Sequence, residues 1–171
     1  MLFVFSGLPG VGKTTIAKRF ASDTQAVYLR MDTIEQRMKD ANLELTYDES
    51  YQIAFGLASE NLTLGMSVVA DSTNPVVESR EGWWNIARST KVTCIDIEVI
   101  CTDKQEHRQR VESRKTDILG LQLPNWWSVC EREYDTWERE DRLVLDTANK
   151  TEQQSYAEFS VLIADKIALK E

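Results

Sequence analysis

The 171-residue sequence predicts a doubly wound, mostly parallel five-stranded α/β sheet with helices on both faces and a short lid. Three observations carry this. Short apolar runs alternate with segments of helical spacing along the whole chain, the order that βαβ units require. The first run, Leu2 to Phe5, is apolar without a break, as in a strand buried on both faces. A glycine-rich loop, Gly7 to Thr14, follows it and opens into a helix.

The elements follow in order. Ile16, Ala17 and Phe20 give Thr14 to Phe20 a helical stripe. Ala26 to Leu29 reads as the second strand, and a helix starts near Asp32, whose carboxylate can cap it. Tyr51 to Leu64 is helical, with Ile53, Ala54, Leu57 and Ala58 as its apolar stripe. Ser67 to Ala70 is the third strand, Asn74-Pro75 breaks the chain, and Val77 to Arg88 returns to helix. Val92 to Cys101 is the fourth strand and Asp103 to Arg114 a highly charged helix. The lid spans about 115–126, Trp126 to Glu138 reads as helix, Leu143 to Leu145 as the last strand, and Glu152 to Lys170 as a closing amphipathic helix. No linker or repeat divides residues 1–171, so one domain is expected.

Composition bounds the function. Hydrophobic residues make up 42% and charged residues 28%, values of a folded globular chain rather than a disordered one. A net charge of -8 argues against an extended nucleic-acid surface, which needs a basic face. Three cysteines without C-x-x-C spacing disfavour a disulfide framework or zinc site and fit reduced, cytoplasmic thiols. The apolar start MLFVF runs into Ser-Gly-Leu-Pro-Gly and reads as a strand rather than a signal peptide, and no apolar run approaches bilayer length.

Gly7, Gly12, Lys13 and Thr14 match G-x-x-x-x-G-K-S/T with a strand before and a helix after. Glycines let the backbone bend so that N–H groups converge on phosphate oxygens, and the helix N-terminus adds its dipole. The expected cradle is Gly7, Leu8, Pro9, Gly10, Val11, Gly12, Lys13, Thr14 and Thr15, with Lys13 at the β- and γ-phosphates of ATP and the Thr14 hydroxyl on Mg²⁺.

Guanine-reading motifs are matched only by near misses: Asp117-Ile118-Leu119-Gly120 follows no strand, and Asn149-Lys150-Thr151-Glu152 ends in the wrong acid. A GTPase is therefore disfavoured. Asp32, just past the second strand, is placed to take a proton from an attacking hydroxyl, or to cap its helix. Arg30 beside it is a candidate for an anionic substrate group or for snorkelling at the sheet edge. Asp71 ends the apolar run MSVVA, where a carboxylate can serve Mg²⁺, and Thr73 and Asn74 offer substrate contacts; the alternative is an Asx turn into Pro75. Arg110 and Arg114 share a helix face and could swing onto phosphates, unless they only salt-bridge with neighbouring glutamates. His107 reads as a surface residue, and the five tryptophans as packing groups.

The motifs GLPGVGKT, YLRMDTIEQ, VVADSTNP, EVICTDKQEHRQRVESR, LPNWWSVCEREYDTW and LVLDTANK resemble, in order, the small bacterial kinase-like AAA-family P-loop proteins. These are related to polynucleotide 5′-kinase, zeta-toxin, chloramphenicol phosphotransferase and adenylylsulfate kinase domains. The resemblance implies Lys13 and Thr14 at ATP and Mg²⁺, Asp32 as catalytic base, Asp71 near the metal, and Arg80 near substrate. It also implies Arg110 or Arg114 in the lid and Asp146, Thr147 and Ala148 beside adenine. Where polynucleotide kinases often carry arginine three residues after the base, this chain has Glu35, which repels a phosphate and disfavours a nucleic-acid 5′ end. The expectation is an ATP-dependent phosphotransferase, monomer or homodimer, acting on a hydroxyl of a small molecule or nucleotide-like acceptor. The competing expectation is an ATP-binding regulatory switch with little turnover.

Overall fold

The computed structural model describes residues 1–43, 48–137 and 139–170. In chain order the elements are β1 (Leu2–Ser6), α1 (Lys13–Thr24), β2 (Val27–Arg30), α2 (Met31–Asp40), α3 (Glu49–Thr63) and β3 (Val68–Asp71). They continue with α4 (Val77–Thr90), β4 (Cys94–Ile100), α5 (Lys104–Ser113), α6 (Trp126–Cys130), β5 (Leu143–Asp146) and α7 (Glu152–Ala168). The five strands form one sheet of order β2-β3-β1-β4-β5. Every pairing is parallel.

The period-2 alternation of β1 sorts its side chains between two cores. Phe3 and Phe5 face α1 and α7, packing with Phe20 and Phe159, while Leu2 and Val4 face α3 and α4 and pack with Ala58, Leu62 and Trp83. Phe20 meets both Phe3 and Phe159 edge-on at centroid distances of 4.9 and 5.2 Å, the offset geometry that ring quadrupoles favour. The strand order reverses direction at β1, between β3 and β4, so the loop leaving β1 opens at the switch point at the carboxyl end of the sheet, where α/β folds bind ligands.

Four local expectations are corrected. On α3 the buried stripe is Ser50, Ala54, Ala58 and Leu62, while Ile53 and Leu57 are exposed. The small residues face inward because α4 lies close across them, with Phe55 set edge-on to Trp83 at 4.7 Å. The helix expected over 126–138 stops at Cys130, and its proposed end at Glu138 lies outside the described residues. From 131 to 137 the chain instead lies against α4, where Asp135 accepts from the Val77 N–H and its own N–H donates to the Pro75 carbonyl. That remote cap satisfies an orphan donor of α4. Asp32 does not cap α2: Arg30 holds the cap position, and Asp32 sits in the first turn. Among the tryptophans, Trp83 is wholly buried, whereas Trp127 is largely exposed.

β4 carries two acids, Asp96 and Glu98, on the face turned away from α1. Trp84 donates to both oxygens of Asp96 at 3.0 and 2.9 Å, and Arg142 donates to Glu98 at 2.7 Å. These partners make the burial of both acids tolerable. Among the described residues no helix is long and apolar enough to cross a membrane.

Candidate active site

A cleft of about 1470 Å³ runs along the carboxyl end of the sheet, from Ser155 and Lys150 past the phosphate loop to Glu35 and Tyr51. Ten basic and six acidic residues line it, against a chain charge of -8. Such focusing of positive charge in a low-dielectric recess attracts a polyanion.

The loop after β1 is built for close approach. Gly7 has φ +141, and a Cβ there would lie 2.2 Å from the Val99 carbonyl oxygen. At Gly10, φ is +89 and a Cβ would meet Val111 at 2.5 Å. Gly12, left-handed at φ 91, is the residue from which α1 starts, so the free N–H groups of Lys13 and Thr14 open the helix toward the cleft. Leu8, Pro9, Gly10, Gly12, Lys13, Thr14 and Thr15 line the cleft, while Val11 packs into the core and Gly7 donates to Thr73 at 3.2 Å behind it.

Lys13 and Asp71 form a buried ion pair, Nζ to Oδ1 at 2.8 Å, with side chains 12% and 1% exposed. Tyr28 donates to the other Asp71 oxygen at 2.7 Å. Burial opposes ionisation of Asp71, but Lys13 beside it and hydrogen bonds from Lys13, Tyr28 and Thr14 hold its carboxyl below the usual range. Burial and the Asp71 charge push the Tyr28 hydroxyl up, so it stays a neutral donor. Asp71 is not part of the cleft wall; it lies behind Lys13.

At one end of the cleft Arg110 donates to the Thr147 hydroxyl and carbonyl at 2.8 and 3.0 Å and to Glu106 at 2.6 Å. Thr147 in turn donates to the Val11 carbonyl at 2.8 Å, tying this wall to the phosphate loop. Of the three residues expected beside adenine only Thr147 lines the cleft. Asp146 is occupied in joining strand ends, accepting from the Thr102 N–H, the Thr102 hydroxyl and the Ala148 N–H, and Ala148 is in the core.

At the other end stand Arg30, Asp32, Glu35, Tyr51, Ser72, Thr73, Pro75 and Arg132. Asp32, freed from capping, is about half exposed, with Oδ2 3.8 Å from Arg30 Nη2. Burial pushes the Glu35 carboxyl up, and the nearby Asp32 charge adds to this. The segment 114–125 between α5 and α6 closes over this region: Asp117 accepts from Arg30 at 2.7 Å and from Lys18 at 3.2 Å. Arg30 and Lys18 hold the Asp117 carboxyl down at about 2. Arg114 lies just past the end of α5, in extended conformation, so it does not share a helix face with Arg110; its side chain still lines the cleft.

Two expected substrate residues are structural instead. Arg80 is 2% exposed and donates to the carbonyls of Asn74, Pro75, Thr136 and Asp135, with its guanidinium 4.2 Å from the Trp137 ring centre. Asn74 is wholly buried, donating to the Phe5 carbonyl and the Ser6 hydroxyl and accepting from Trp83. Neither lines the cleft. His107 is buried, not on the surface: its Nε2 donates to the Pro9 carbonyl at 2.8 Å, and its ring meets Trp126 edge-on at 5.2 Å.

Sequence reasoning missed Tyr28, Glu106 and Asp117. For Tyr28 a signal existed: in the parallel register Tyr28 and Arg30 align with Val69 and Asp71, and strand parity puts all four on the face covered by α1.

A model of the AAA domain matches residues 2–119. The chain belongs to this family. No curated protein sequence matches it significantly. Its P-loop kinase-like fold is shared with a gluconokinase from Sinorhizobium meliloti 1021, at TM-score 0.67 and 16% identity over 98% of this chain and 94% of that one. Chaetomium thermophilum Kti12, solved in complex with ADP-AlF3, aligns at TM-score 0.64 and 20% identity over 98% and 99%. Mycobacterium tuberculosis APS kinase CysC, in complex with AMPPNP and APS, aligns at 0.60 and 15% over 95% and 96%. At these identities the likeness is one of fold, and function has to be read from the residues of this AAA domain itself.

Proposed function

We propose that this AAA domain is an ATP-dependent phosphotransferase that moves the γ-phosphate of ATP to a hydroxyl of a small acceptor. One observation carries the reading: a single cleft joins the phosphate loop to Asp32, whose carboxylate is neither buried nor used as a helix cap. A passive nucleotide sensor has no need of an exposed carboxylate in the cleft beyond the phosphate loop; an ATPase could use one on water, and the transfer assay below separates that case.

In this reading the loop amides and Lys13 hold the β- and γ-phosphates, which requires Lys13 to leave Asp71 as phosphate arrives. Thr147, Arg110 and Lys150 bound the end that takes the base. Asp32 accepts the proton of the attacking hydroxyl and orients it, while Arg114, on the lid side of the cleft, adds positive charge near the transferring group. Thr14 and Asp71 offer a hydroxyl and a carboxylate in mutual contact, an all-oxygen donor set that suits Mg²⁺. When bound, that ion would neutralise charge on the phosphates. The fold neighbours named as kinases support phosphotransfer in general; the acceptor is argued from this cleft alone.

The test is single-turnover transfer from γ-labelled ATP to a panel of small alcohols, sugars, nucleosides, hydroxy acids and phosphorylated alcohols. Asp32→Asn is expected to lower the transfer rate by about 10²- to 10⁴-fold with ATP affinity retained. Undiminished transfer by Asp32→Asn would remove the base, and label appearing only as inorganic phosphate with every acceptor would reduce the protein to an ATPase.

A further inference from the structure

We infer that Arg30 is the recognition site for an anionic group, carboxylate or phosphate, on the acceptor, and that Asp117 of the lid occupies this site until the acceptor displaces it. The inference rests on the proposed phosphotransfer only in calling that anion part of an acceptor.

Two of the three charged partners sit on rigid elements. Arg30 ends β2, the edge strand paired with β3, and its side chain is 11% exposed; Lys18 belongs to α1. The carboxylate between them comes from the irregular segment that follows α5, and its side chain is 54% exposed. Arg30 is thus set in place, while Lys18, its side chain 62% exposed, and Asp117, on an irregular segment, reach it from the rim of the cleft. The Asp117 carboxylate fills the pair incompletely. It takes Arg30 Nη1 at 2.7 Å and Lys18 Nζ at 3.2 Å, yet Arg30 Nε is buried with no hydrogen-bond partner among the described residues. A buried donor without a partner is unfavourable, and an oxyanion able to bridge Nε and an Nη group would satisfy it.

The position of Arg30 beside Asp32 points to the acceptor as the source of that oxyanion. Arg30 Nη2 lies 3.8 Å from Asp32, so an anion held by Arg30 leaves the remainder of its molecule beside the carboxylate that would take the hydroxyl proton. Glu35 shares this end of the cleft, and Lys39 and Arg132, which also line it and act on the Glu35 carboxyl, offset its charge toward an anion. A neutral polyol could not compete with Asp117 for Arg30. A hydroxy acid or a phosphorylated alcohol could, and its arrival would open the lid contact and deliver its hydroxyl in one event. The Asp117 contact then serves as a selectivity gate, since only an anion can exchange with it.

The test reads the Arg30 Nε–H resonance in proton–nitrogen spectra of the full chain saturated with a non-hydrolysable ATP analogue, assigned by its loss in Arg30→Lys. The probes are glycolate, inorganic phosphate and, as the neutral control, ethylene glycol. Glycolate or phosphate is expected to shift the resonance saturably, and ethylene glycol to leave it unmoved. The anion saturating at lower concentration assigns carboxylate or phosphate as the recognised group. Asp117→Asn is expected to lower the half-saturating concentration by about threefold or more, because it removes the competing charge. The inference is overturned if neither anion gives a saturable shift, if ethylene glycol shifts the resonance equally, or if Asp117→Asn leaves the half-saturating concentration unchanged. No turnover is needed, so failure of phosphoryl transfer in the labelled-ATP assay counts against the kinase reading alone, and the spectra by themselves decide whether Arg30 takes an anion.

Discussion

Truncating Arg80 to alanine separates a structural arginine from a substrate-binding one. The guanidinium donates to four backbone carbonyls, at 3.0 Å to Asn74, 3.1 Å to Pro75, 2.8 Å to Asp135 and 3.2 Å to Thr136. Hydrogen bonds from a charged group are worth about 1.5–3 kcal/mol each, so the gross loss is several times that of an ordinary contact. Relaxation and water entry return part of it, and leaving four carbonyls without their shared donor gives a net cost of about 3–5 kcal/mol. For a chain of this size that corresponds to a fall in Tm of roughly 10 °C. Arg80→Lys keeps the charge but cannot reach carbonyls on both sides of its plane, so it recovers less than half of the loss. Urea unfolding followed by far-ultraviolet circular dichroism, with linear extrapolation, measures both variants. A loss below about 1 kcal/mol in Arg80→Ala, together with a large rise in acceptor KM, would refute the structural assignment and restore Arg80 to the substrate site.

Two further outcomes follow from buried charge. Lys13→Met leaves the Asp71 carboxylate buried with only hydroxyl donors, and is expected to destabilise the nucleotide-free protein by about 3 kcal/mol at pH 7; Lys13→Met with Asp71→Asn should regain much of that in the same urea titration, since no unpaired charge remains. Glu35 has its carboxyl raised by burial and by Asp32, so the unfolded chain releases this proton first as pH rises. Stability contributed at Glu35 is therefore present below the ordinary glutamate pKa of about 4.3 and is lost as pH climbs from there through the raised folded value. Glu35→Gln is expected to raise Tm at pH 7.5 and to leave it unchanged near pH 4, read by calorimetry across that range; an equal effect at both values would show that charge is not the cause.

The sheet, the phosphate loop and the order of elements were legible because each rests on local pattern. Leu2 to Phe5 is apolar on both parities, and Gly7 to Thr14 carries its chemistry in consecutive residues. What was not legible depends on partners far apart in the chain. The resemblance implies Arg80 near substrate; it is buried instead because residues 131–137, expected in a helix, fold back over it. The reason they do so is the cap that Asp135 provides to α4, a contact 58 residues apart. Asp117 stands out in the sequence only as part of a near-miss motif in the lid, and its hold on Arg30 spans 87 residues.

The same distinction explains why the two ends of the cleft differ in what the sequence reveals. At the phosphate end, the backbone itself supplies the donors, so a glycine pattern suffices to announce the site. At the Arg30 end, the cleft is lined by side chains from β2, α2, the lid and residue 132, brought together only by the fold. Here that end pairs a half-exposed Asp32 with an arginine already holding a carboxylate, an arrangement that, in the proposed reading, would select an acceptor by charge before shape.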